Sequence, residues 1–222
     1  MLPLLGADEE VVAFFAGVAD LDATDPADYL LEDGVRLASG ARLEQFARAG
    51  SGDAFCFVGE GGEERPVMYV SLDGEAGLLA LDLPELVRLC LVAPWWRDAP
   101  GRTAGELKRV VDEYREDAPD LDRLRERAAQ ALGIDPAGLP SEATVLAGLA
   151  ELSGGPVAEA CLVVGYEGEP LDPLFDAAQI ERLSCPNEVR RRCVADLVLG
   201  PARFTGSAVG AVGYGVSVRS DC

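Results

Sequence analysis

Nucleophile chemistry in this chain has few starting points. The candidates are six cysteines, Cys56, Cys90, Cys161, Cys185, Cys193 and Cys222, and a single lysine, Lys108; histidine is absent. Without histidine there is no Ser-His-Asp or Cys-His arrangement, no His-ligated zinc and no ordinary general base near neutral pH. No CxxC occurs, and the closest pair, Cys185 and Cys193, has neither a second pair nor a histidine to complete a zinc site. Cys56 and Cys90 lie in apolar runs, where cysteine acts as a small buried hydrophobe. Lys108 follows Glu106-Leu107 with no glycine loop before it, and Ser71 lacks a GxSxG elbow. Gly210, Gly213 and Gly215 imitate a nucleotide loop, but only seven residues follow, too few for the helix such a loop needs. Asp73 and Glu75 flank Gly74 as a turn would and fail the EF-hand spacing. No cofactor and no metal are expected. An enzyme would have to use carboxylates with Cys56 or Cys161, yet the neighbours of both are apolar or acidic, the opposite of what activates a thiol.

Charge narrows the partners. Of 222 residues, 19 are Lys or Arg and 39 are Asp or Glu, a net charge of −20 that argues against nucleic acid and against anionic membrane surfaces. The same charge would steer a basic protein. Arg190-Arg191-Arg192 is a short exception, expected to be solvated or paired within the chain. No apolar run is long enough for a membrane span, and the stretch from Met1 to Gly6 lacks the basic start of a secretory signal. Together with unpaired cysteines this points to the cytoplasm as the expected compartment.

The elements that would position these residues are legible in part. Asp8 should cap a helix bearing Val11, Phe14, Phe15 and Val18 at helical spacing, and Asp25-Pro26 signals a second start. Residues 43–49 read as a short helix. Strands follow at 54–58, 65–71 and 77–80, joined by turns at 59–64 and at Asp73-Gly74, an antiparallel meander. Asp82 should cap a helix with Leu83, Leu86, Val87, Cys90 and Leu91 on one face. Helices are also expected after Thr103 with its capping-box partner Glu106, after Asp120, and from Ser141-Glu142. Beyond 155 the pattern is a strand at 160–164, helices at 176–183 and 188–199, and a glycine-rich tail. The division is an α+β domain with a helical extension at 1–155, and a partly ordered C-terminal segment at 156–222.

The order LEQFARAGSGDAFCFV, PVMYVSLDGEAGLLA and LDLPELVRLCLV, residues 43–93, resembles the SUKH superfamily of immunity and adaptor proteins. The resemblance is carried by Phe46-Ala47 before a glycine turn (Gly50, Gly52), the acidic turn Asp73-Gly74-Glu75, a short strand reaching Ala80 and the helix at 83–92. It implies an α+β fold, a small antiparallel sheet with helices packed around it. It also implies a non-enzymatic binding role: neutralising a toxin effector by direct contact, or serving as an adaptor without a toxin partner. A basic toxin domain suits the acidic surface. The expected contact residues are Asp53, Glu60, Glu63, Glu64, Asp73 and Glu75 at strand ends and turns, with Trp95 and Trp96 as aromatic anchors.

Overall fold

The computed structural model describes residues 1–25, 34–154, 161–175 and 178–179. The fold is α+β, as expected, with six α-helices and seven strands among the described residues. Helix α1 (Leu2–Ala7) precedes α2 (Glu9–Phe15), which is capped as its sequence predicts: Asp8 Oδ1 accepts the N–H groups of Glu10 and Val11, each at 3.1 Å. Val11, Phe14 and Phe15 are fully buried.

Strand β1 (Arg36–Leu37) leads to the meander β2 (Leu43–Arg48), β3 (Ala54–Val58), β4 (Val67–Val70) and β5 (Glu75–Ala80). Neighbours in this meander are antiparallel, with Ala54 opposite Val70 and Phe57 opposite Val67. Every residue of β3 and β4 is buried, so these strands read as continuous apolar runs rather than as alternation. One face carries Phe55, Phe57, Val67, Tyr69 and Leu79 into the main core with the helices. The other carries Ala54, Cys56, Val58, Met68, Val70 and Leu78 into a second core.

The helical part begins with α3 (Leu83–Val92), whose Asp82 cap accepts the Glu85 N–H at 2.7 Å. Helix α4 (Ala104–Asp117) opens on the Thr103/Glu106 capping box, and α5 (Leu121–Ala131) follows. At α5 the expected cap fails: Asp120 makes no side-chain bond to the helix backbone, and its Oδ2 accepts from Arg123 Nη2 at 2.6 Å. A 3-10 turn at Pro136–Gly138 leads to α6 (Glu142–Gly154).

Two expectations are corrected. Residues 43–49 form strand β2 and not a helix. A register shift between Gln45 and Ala47 turns two successive residues, Phe46 and Ala47, toward the core, and that inward pair imitates helical spacing. The boundary at 155 also cuts through paired structure. Strand β6 (Val163–Val164) pairs antiparallel with β1, and β7 (Asp172–Pro173) pairs parallel with β5, completing the sheet order β2-β3-β4-β5-β7. Cys161 and Val163 join Leu37 in closing the second core. On β5 itself, Ser153 Oγ of α6 donates to the Leu78 carbonyl at 3.2 Å. The start at Asp25-Pro26, the helices at 176–183 and 188–199 and the tail lie wholly or partly outside the described residues.

Candidate functional site

The six expected contact acids do not form one face. Glu60, Glu63 and Glu64 sit in the β3–β4 turn, whereas Asp53, Asp73 and Glu75 sit at the opposite end of the same strands. At the first end Arg65 organises the turn from inside. Its guanidinium lies 4.4 Å from the Phe57 ring centroid, and it donates to Glu44 at 2.8 Å and to the Gly59 and Gly62 carbonyls at 3.0 and 2.9 Å. Glu63 is committed to the chain: its Oε1 accepts from the Met1 ammonium and the Leu2 N–H, both at 2.8 Å. The hydrogen bond from the ammonium holds its carboxyl below the usual range. Glu64 accepts the Gly62 N–H at 2.9 Å, and that bond lowers its pKa too. Glu60 and Glu64 are exposed.

At the second end Asp53 is buried, with 7% of its surface exposed, so it is not a contact residue. Its carboxylate is filled by neighbours. Oδ2 accepts from the Tyr69 hydroxyl and from Ser51 Oγ, the latter at 2.6 Å, and Oδ1 accepts the Leu72 N–H at 2.8 Å. Burial pushes its pKa up, but the hydrogen bonds from Ser51, Tyr69, Leu72 and Ser71 outweigh that and hold it below the ordinary value. Burial raises Tyr69, and its bond to the Asp53 carboxylate adds to the rise. The Tyr69 ring packs edge-on against Phe55 and Trp96, at 5.2 and 5.4 Å.

This network presents a small exposed surface. Leu72 is 56% exposed at the head of the β4–β5 turn. Ser71 Oγ accepts the Asp73 N–H at 3.1 Å, and Gly74, at φ +90°, supplies the left-handed residue the turn needs. Asp73 and Glu75 are exposed beside Leu72, and the β5–β7 pairing places exposed Asp172 opposite Glu75. None of these three carboxylates forms an ion pair with a described residue. Asp172 escaped the sequence reading because only a parallel pairing across the whole helical region brings it here.

Trp95 and Trp96 are core residues, 2% and 0% exposed, so neither presents an anchor on this surface. Trp95 Nε1 donates to Glu142 Oε1 at 3.0 Å, tying the start of α6 to the end of α3, and its ring meets Tyr114 of α4. At Cys90 burial outweighs the opposing pull of Arg97, and at Cys161 burial acts alone. Burial pushes Cys90 up to about 12 and Cys161 up to about 11, so both remain protonated at neutral pH. Among the described residues no three His, Cys, Asp or Glu side chains are placed to hold a metal ion, and no helix is long and apolar enough to cross a membrane. An open groove of about 510 Å³ is lined by Arg97, Asp98, Gly101, Arg102, Glu106 and Gln179; it mixes two arginines with two carboxylates, so it gathers no single charge. Comparison with protein-family models, with curated proteins and with solved structures found no match to the chain.

Proposed function

We propose that this chain is a non-enzymatic, cytoplasmic protein-binding module of SUKH type, an immunity protein that neutralises a basic toxin domain by direct contact. The observation that carries the proposal is the β4–β5 turn surface: one exposed leucine among three carboxylates that no described side chain neutralises. A basic partner would supply the missing counter-charges, and Leu72 would supply apolar contact at the centre, the division of labour found in protein interfaces. The meander followed by a capped helix at residues 43–92 follows the element order that suggested the family, with β2 in the place of the expected helix. Burial that holds the Cys161 thiol protonated weighs against that candidate nucleophile.

The test is affinity capture with the full chain from its native lysate, at low and at high salt. Expected is one stoichiometric basic partner, released by salt because exposed charge attraction is screened over about 3 Å at 1 M ionic strength. The triple variant Asp73→Asn, Glu75→Gln, Asp172→Asn should lose it, and co-expression of the unaltered chain should protect cells from it. A large complex indifferent to salt and to the triple variant would favour an adaptor and end the immunity proposal.

A further inference from the structure

We propose that Asp53 is the positioning residue of the β4–β5 turn surface: its buried carboxylate fastens the β2–β3 turn to the β4–β5 turn, so that Leu72 and its neighbours are presented as one preorganised unit. The inference rests on the binding role proposed above and adds what holds that surface in shape.

Three segments converge on the one carboxylate. Ser51 donates from the β2–β3 turn, the Leu72 N–H from the β4–β5 turn, and the Tyr69 hydroxyl from strand β4. The turns also touch directly: a Cβ on Gly52 would come within 2.9 Å of Leu72 Cδ1, so the leucine lies against this position, whose φ of +98° favours glycine. The β2–β3 turn has a second tether. Asp20 Oδ1 accepts the Gly50 N–H at 2.6 Å, and Asp20 Oδ2 pairs with Arg97 at 2.9 Å. The Arg97 guanidinium in turn sits over the rings of Tyr69 and Trp96, at 5.2 and 5.3 Å. Both turns are thus tied through carboxylates to the same aromatic pair, and the ties meet at Tyr69. A surface held this way loses little conformational freedom when a partner docks, which favours binding without adding a contact. Asp53 itself is too deep to meet a partner, so its effect on binding must pass through the turns.

Full-length wild type, Asp53→Asn, Tyr69→Phe and the pair Asp73→Asn/Glu75→Gln would be compared by peptide-resolved amide exchange, with octalysine as the probe ligand at low salt. Octalysine should slow exchange in residues 71–75 of the wild type. Asp53→Asn keeps the shape but removes the charge and one of the two acceptor oxygens, so the Ser51 and Tyr69 hydroxyls and the Leu72 N–H can no longer all be accepted at once. It should speed exchange about tenfold in residues 49–53 and 70–75 together, leave α3 unchanged and weaken octalysine protection about fivefold. Tyr69→Phe removes one of the three donors and should move both turns the same way by less; it carries the test if Asp53→Asn does not fold. A response confined to one turn, or a uniform rise that includes α3, would overturn the positioning role and leave Asp53 an ordinary stabilising residue. Asp73→Asn/Glu75→Gln should abolish octalysine protection with exchange rates otherwise unchanged. If protection survives that pair, the binding surface is wrong, while the joint response of the two turns still decides the clasp.

Discussion

At Asp53, burial and hydrogen bonding pull one carboxyl in opposite directions, and the hydrogen bonds win. A carboxyl lowered in the folded state binds its proton less readily than it does unfolded. It therefore contributes stability above the unfolded value of about 3.9, and that contribution is lost as pH falls through the folded value. Asp53→Asn should accordingly be less stable than wild type at pH 7, with the difference shrinking below about pH 4. Urea unfolding at pH 7, 4 and 3 checks this, and a gap that stays constant over the three would show that the charge is not what matters. Residue-scale legibility divides along the same line. Asp8, Asp82 and Thr103 were readable as caps because each bonds backbone two or three positions ahead. In the sequence Asp53 looks like an exposed contact, because its burial depends on Tyr69 and Leu72, which reach it only once β3 and β4 pair. For the tryptophan pair the sequence leaves core and anchor both open, because neither the partner Glu142 nor the ring of Tyr114 is near in sequence.

Among the elements, α3 has a start that the sequence specifies through two acidic side chains. Asp82 accepts the Glu85 N–H, and Glu85 Oε2 accepts the Leu81 N–H at 2.9 Å, so the two side chains satisfy donors on both sides of the helix start. The helix buries Leu83, Leu86, Val87 and Cys90 against the sheet. Asp82→Ala should cost about 1 kcal/mol, a fall in Tm of about 2–4 °C at this chain length, measurable by calorimetry. No loss at all would mean that packing alone fixes the helix start. Strand β2 shows the limit of pattern reading. Its bulge sends Phe46 and Ala47 inward in succession, and a period-2 template discards such a strand in favour of a helix. The short strands β1, β6 and β7 carry two residues each, below what any sequence period can register; β7 adds to the edge of β5, and β1 and β6 pair only with each other.

For the whole molecule, charge sets the response to solvent. With 39 acids against 19 bases, the folded chain concentrates mutual repulsion that the expanded chain relieves. The ion pairs that oppose it, such as Arg123–Asp120 and Arg127–Glu10, are substantially exposed and individually weak. Adding salt should therefore raise Tm, because screening the net repulsion outweighs screening the pairs; a fall in Tm with sodium chloride would show the pairs to dominate. The α+β class and the meander with its following helix were legible because their contacts are local. What was not legible is the return of residues 161–175 to both β1 and β5, a connection that skips the entire helical region. That return bears on the order of events in folding. During synthesis the meander and α3 emerge early and hold all their own pairings, but the outer edge of β5 and the Cys56–Met68 side of the sheet wait for a segment made nearly a hundred residues later. Until it arrives the nascent chain carries an open strand edge beside an apolar sheet face, the two features that invite pairing with another chain. Speed of completion, as much as final stability, then governs how much protein reaches its native state.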